Sequence, residues 1–224
     1  MKKVLFLMVC MMTFMSCKMN VMGWDSNQIE PSDNVVTQTY KLQPFEKVEM
    51  ICVGHVEIIQ DERKDGTVEL TAPDNYIELY KFESNSKALR IGFRKSNINI
   101  TTKKVKIRVY TSDLIELRNS GAASISMDSL DTDRLEIVNS GVGSINISGI
   151  ADDVKIINSG VGSINAEKLK ALNVKASVSG VGSITCYASE HIEGRVSGVG
   201  SLKYAGNPKK KDNKRSGVGS ITEL

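Results

Sequence analysis

Aromatic residues make up only 5% of this 224-residue chain, with one Trp, and there are two His, four Cys and four Pro. So few rings cannot supply the stacking platforms on which single-stranded nucleic acid is bound. The net charge of +3 is too small for a polyanion partner, and part of the excess sits at the extreme N-terminus. Nucleic acid is therefore not an expected partner. The two histidines, His55 and His191, flank strand-like stretches at outward positions, and no His and Cys stand at metal-ligand spacing. No metal and no cofactor is implied. Helical periodicity is lacking throughout, which excludes the helical repeats.

Glycine is what the chain has, 18 of them, and most fall in one recurring cassette. It reads Ser120-Gly-Ala-Ala-Ser-Ile125, then Ser140-Gly-Val-Gly-Ser-Ile145, and returns from Ser159, Ser179, Ser197 and Ser216 at intervals of 18 to 20 residues. Such a period marks a repeat architecture. Apolar residues hold fixed places around each cassette. Ile125, Ile145, Ile164, Ile184 and Leu202 form one column, and Leu135, Val154, Val174 and Ile192 another. Polar residues such as Ser144, Asn146, Glu136 and Lys155 stand between them. Alternation with period 2 describes strands with one buried face. Two short strands and their turns fill each repeat, so the reading is all-β: a parallel β-helix-like solenoid with turns of 18–20 residues. Stacked turns lie about 4.8 Å apart.

Within this reading the first glycines of the cassettes, Gly141, Gly160, Gly180 and Gly198, are expected at corners with positive φ. The second glycines, Gly143, Gly162, Gly182 and Gly200, are expected to face inward, where a side chain would strike the opposite wall. Asn119, Asn139 and Asn158 precede three cassettes and are expected to stack as a hydrogen-bonded ladder. A phosphate-cradling loop is the rival reading of Gly-Val-Gly-Ser. That motif occurs once, before a helix, with a Lys after its glycines, whereas here there are six copies and no helix. Ser144, Asn146, Ser163, Asn165, Ser183 and Thr185 form an outward column pair, the candidate binding face. Asp128, Asp131, Asp133, Asp152 and Asp153 fall in turns and share no column, so turn chemistry explains them.

The ends differ from the repeats. Lys2 and Lys3, an apolar run from Val4 to Met15 and Ser16-Cys17 have the order of a lipoprotein signal, although Phe14 stands where Leu is usual. The run is short for a bilayer span. Residues 1–17 are read as signal peptide with Cys17 as the lipidated residue, 18–40 as a flexible tether and 41–224 as one solenoid domain. Strand-like stretches from Phe45 to Val109 form a less regular N-terminal part, with Val105 and Ile107 expected one turn below Ile125 and Met127. Asn207–Arg215, rich in Lys, is read as a solvated loop. Cys52 and Cys186 sit on apolar faces as small hydrophobes.

Phe45-Glu-Lys-Val-Glu-Met, Val53-Gly-His-Val-Glu-Ile and the repeated Ser-Gly-Val-Gly-Ser-Ile resemble the bacterial family described as "putative auto-transporter adhesin, head GIN domain", over roughly residues 40–222. The resemblance implies a right-handed parallel β-helix-like fold in the cell envelope and no catalytic residues. The expectation is an exported, lipid-anchored, non-enzymatic binding module. Its partners are a membrane, through the anchor, and a surface glycan or protein. A polysaccharide-acting β-helix enzyme is the alternative; it would place two convergent carboxylates in a groove.

Overall fold

The computed structural model describes residues 28–224. Cys17, Trp24 and the signal segment lie outside them. Strands dominate: β1 (Val35–Lys41), β2 (Lys47–Met50), β3 (Val53–Gln60), β4 (Thr67–Pro73), a one-turn helix α1 (Asp74–Ile77), β5 (Tyr80–Asn85), β6 (Ala88–Phe93), β7 (Lys106–Thr111) and β8 (Glu116–Asn119) come first. Then follow β9 (Ala122–Asn139), β10 (Val142–Asn158), β11 (Val161–Val178), β12 (Val181–Val196), β13 (Val199–Ala205), β14 (Lys210–Arg215) and β15 (Val218–Glu223). From β8 onward the chain winds as a β-solenoid. Each rung pairs in parallel with the next, cassette on cassette: Ser124, Ser144, Ser163, Ser183, Ser201 and Ser220 form one column.

The predicted apolar columns are the core. Ile125, Ile145, Ile164, Ile184 and Leu202 are all at most 1% exposed, and Leu135, Val154, Val174 and Ile192 at most 4%. Burial of a Leu or Ile side chain stabilises a fold by about 1.5–3 kcal/mol, so each rung of these stacks adds to the apolar term. Cys186 and Cys52 are buried and free. Burial pushes both thiols up to about 12, which makes them poor nucleophiles.

The solenoid entrance departs from the predicted register. The rung beneath the first cassette is β2 with β3: Val56 pairs with Ile125 and Ile58 with Met127. Strand β7 lies one rung further out, with Ile107 against Val56 and Val109 against Ile58. Ile107 therefore stacks two rungs below Ile125, not one below Met127. The repeat spacing misled because the neighbouring rung comes from far earlier in the chain. Antiparallel β4 on β7, and β1 on β4, close this end.

Strand β1 also falls within residues 18–40, read above as tether. Val35, Thr37 and Thr39 are β-branched and suit a strand. The Thr37 and Thr71 hydroxyls meet at 2.8 Å, and the Tyr40 ring lies 4.7 Å from that of Phe82. The Lys-rich segment is likewise not all loop. Lys210–Arg215 is strand β14, parallel to β12, with all six side chains exposed. Its backbone continues the ladder although its side chains have no core to fill.

The asparagine ladder forms as expected. Asn119 Nδ2 donates to Asn139 Oδ1 at 2.9 Å, and Asn139 Nδ2 to Asn158 Oδ1 at 3.0 Å, all three residues fully buried. The chain of amides ends where Val178 stacks on Asn158 and, at the other end, where Met50 stacks under Asn119. Asn119 Oδ1 is consequently buried without a partner.

The glycine assignments are reversed in part. Positive φ belongs to the second glycines Gly143, Gly162 and Gly182 and not to Gly141, Gly160, Gly180 or Gly198. The obstacle to a side chain is not the opposite wall. A Cβ on Gly162, where φ is +138°, would lie 1.8 Å from the carbonyl oxygen of Gly143 in the rung below; on Gly160 it would lie 2.0 Å from that of Gly141. The chain turns so sharply at the cassette that Cα–Cβ points along the axis, into stacked backbone. Gly162→Val should therefore cost roughly 3 kcal/mol or more, from overpacking and a strained φ together. Ser163→Val, outward on the next residue, should cost within about 0.5 kcal/mol. Thermal melts of the two variants should differ by about 10 °C; equal shifts would contradict the axial-stacking account.

Candidate functional site

Two outer walls of the solenoid meet at the Asn ladder corner. The first carries the predicted binding face. Ser144, Ser163 and Ser183 stack in one column, and Asn146, Asn165 and Thr185 in the next. Asn146 and Asn165 are exposed, and the serines and Thr185 are half-buried. Ser124 and Ser144 hydroxyls approach to 3.2 Å. Toward the entrance the serine column continues into His55 and Lys106, and the second column into Glu57 and Arg108. Lys106 and Arg108 both pair with Glu57, at 2.6 and 3.1 Å.

A third column on this wall was missed. Val142, Val161, Val181 and Val199 stack in register, each between 51% and 55% exposed. Val218 extends the line at 76% exposure, and none of these five aliphatic side chains belongs to the core. The signal was present: each Val sits between the two cassette glycines, two residues before the outward Ser, and a period-2 strand places them on one side. The wall is thus a flat ribbon of Val, Ser and Asn/Thr.

The second wall is charged. Lys47, Glu116, Glu136, Lys155, Lys175 and Glu193 occupy one column on successive rungs. Lys47 pairs with Glu116 at 3.2 Å, Lys155 with Glu136 at 3.1 Å and Lys175 with Glu193 at 2.9 Å. These residues line a shallow depression of about 440 Å³. Glu136 and Lys155 were legible in the sequence only as outward residues, because the column's charge pattern appears once the rungs are aligned.

Two of the depression's carboxylates, Glu116 and Glu193, are held in their ionised form. Hydrogen bonds from Lys175 and then Arg195 bring Glu193 down to about 2. Burial pushes Glu116 up, but Arg118 and Lys47 outweigh it and keep it below the usual carboxylate range. The turn aspartates stay apart: Asp128 accepts from Ser148 at 3.0 Å and Asp153 from Asn173 at 3.0 Å. His191 is half-buried and meets Asp212 at 2.9 Å. Among the described residues no three His, Cys, Asp or Glu side chains are placed to hold a metal ion.

Parallel rungs, one continuous core and outer walls of stacked side chains define a repeat-built β-solenoid. The chain belongs to the family described as "Putative auto-transporter adhesin, head GIN domain", whose sequence pattern matches residues 44–208. A putative adhesin from Bacteroides fragilis is 30% identical, with a TM-score of 0.73 over 88% of this chain and 100% of that one. Two structures share the fold at lower identity. A putative adhesin from Parabacteroides merdae is 18% identical with a TM-score of 0.55, covering 88% of this chain and 99% of that one. A protein from Parabacteroides distasonis described as "Putative lipid binding protein" is 19% identical with a TM-score of 0.58 and the same coverage. No curated protein matches the chain.

The Glu193 cluster gives a pH prediction. Its folded-state pKa lies below that of an unfolded Glu, near about 4.3. The stability it contributes is therefore present above that value and is lost as pH falls toward about 2. Chemical denaturation from pH 5 to 2 should show a shallower loss of stability in Glu193→Gln than in the unaltered protein. Superimposable pH profiles would refute the assignment.

Proposed function

We propose that this chain is an exported, lipid-anchored envelope protein that acts as a non-enzymatic, adhesin-like binding module. Its binding surface is the Val–Ser–Asn/Thr wall. The observation that carries the reading is the valine column: aliphatic side chains repeated on successive rungs, half exposed and flanked by hydroxyls and amides. A surface with apolar stripes beside hydrogen-bonding groups suits an extended partner laid along the rungs, a surface glycan or a protein segment. Membership of an adhesin family supports an envelope location.

The charged wall argues against the polysaccharide-acting alternative. A glycosidase needs one carboxylic acid with a raised pKa. Glu116 and Glu193 move the other way, under the grip of Lys47, Arg118, Lys175 and Arg195.

Two measurements test the proposal. Metabolic labelling with palmitate should mark the full chain and not Cys17→Ala; equal labelling would remove the lipid anchor. On a glycan array and against envelope protein fractions, the triple variant Ser144→Arg, Ser163→Arg, Ser183→Arg should lose about ten-fold or more of the binding, roughly 1.4 kcal/mol. Undiminished binding would take the site off this wall.

A further inference from the structure

We propose that the charged wall is a self-association surface on which a second copy of this chain docks with its axis reversed. The column reads Lys47, Glu116, Glu136, Lys155, Lys175, Glu193 on six successive rungs, a charge order of +, −, −, +, +, −. Consider a two-fold axis lying in the wall along the strand direction and passing between the Glu136 and Lys155 rungs. It reverses the stack while each column faces itself, as an isologous dimer requires. Lys47 then faces Glu193 of the second copy, Glu116 faces Lys175, and Glu136 faces Lys155. All six positions meet an opposite charge.

The flanking columns obey the same operation. Arg134 and Asp153 are neighbours across the axis in one column and oppose each other. In the other, Glu49 on the Lys47 rung faces Arg195 on the Glu193 rung. Sliding the axis by half a rung sets Glu136 or Lys155 against itself. Sliding it by a whole rung sets Glu116 against Glu136 or Lys155 against Lys175. Like-charge contacts therefore disfavour the neighbouring registers, and a two-rung slide, which brings Lys155 against Asp212 on the next rung, matches fewer positions.

The ion pairs within each copy do not prevent this. Exposed pairs are individually weak, and most of these side chains keep substantial exposure: Lys155 49%, Lys175 56%, Lys47 44% and Glu136 31%. Glu136 keeps its Oε2 free of intrachain cations, and Glu116 and Glu193, whose two oxygens each serve one intrachain cation, keep a second lone pair on each oxygen for a donor from the opposing copy. Six rungs at about 4.8 Å by three columns give a footprint on the order of 500 Å² per copy. A standard interface uses about 800 Å² per partner. The contact is thus a transient one, sensitive to salt. The Val–Ser–Asn/Thr wall lies around the corner and stays free, so the association does not depend on that wall's binding role.

Disulfide trapping in the cell envelope tests the arrangement with the full chain. One tagged copy carries Lys47→Cys, and a co-expressed, differently tagged copy carries Glu193→Cys. Mild oxidation should give mixed dimers at about ten times the yield of either variant alone, because like positions lie five rungs apart. The native Cys52 and Cys186 are buried. Adding Lys155→Glu to both copies should cut the mixed yield by about ten-fold. Combining it with Glu136→Lys, which keeps the intrachain pair and the cross-copy match, should restore the yield. Immunoblots of the envelope fraction establish that each variant accumulates. Homotypic yields equal to mixed ones, the absence of mixed dimers, or failure of the swapped pair to restore them would each overturn the proposal.

Discussion

Parallel, in-register pairing between successive rungs is the constraint on which the rest of the molecule depends. Backbone hydrogen bonds fix the rise at about 4.8 Å, so whatever stands at one place on one rung presses on its counterpart above and below. At the cassette the chain turns its Cα–Cβ directions along the axis, and from Gly143 onward glycine stands at each second-glycine place, with Ala123 only on the first rung. At the corner the same spacing matches an amide hydrogen bond, and Asn119, Asn139 and Asn158 link in a row. Inside, it lets one branched side chain cover the next, and the Ile column excludes water without large aromatics.

The columns that fill the core could be read from the chain because burial imposes a strict alternation on Ile, Leu and Val. The cassette interval aligned the rungs from Ser120 onward. The entrance could not be read in this way. Val53-Gly54-His55-Val56 occupies a cassette place with only one of its glycines, and its rung neighbours are β7 and β9, distant in sequence. No local period can reveal such a pairing. The role of each glycine was also hidden. Sequence showed that a side chain was excluded, but the direction of exclusion depends on how sharply the backbone turns.

The two walls show how one scaffold separates different surface tasks. Outward positions carry no core obligation, so their chemistry is free to vary from rung to rung. On the cassette wall it hardly varies: Val, Ser and Asn or Thr repeat from β10 to β12. On the other wall charge sign changes in blocks of two, which satisfies neighbours within the chain and gives the wall a polarity along the axis. The sequence displayed both patterns, but as scattered letters; only alignment of the rungs converts them into surfaces.

The interleaving of β3 between β7 and β9 has a consequence for how the molecule is made and how it can change. A chain that emerges N-terminus first presents β3 long before either partner exists. The rung remains open until the intervening strands have returned, so the slow, entropically costly closure is concentrated at the entrance. Beyond β9 every new rung docks on the one just completed, and growth becomes local and repetitive. Gain or loss of a whole cassette there would leave the entrance topology untouched. The array can therefore be lengthened or shortened from that side, with the interleaved end as its fixed foundation.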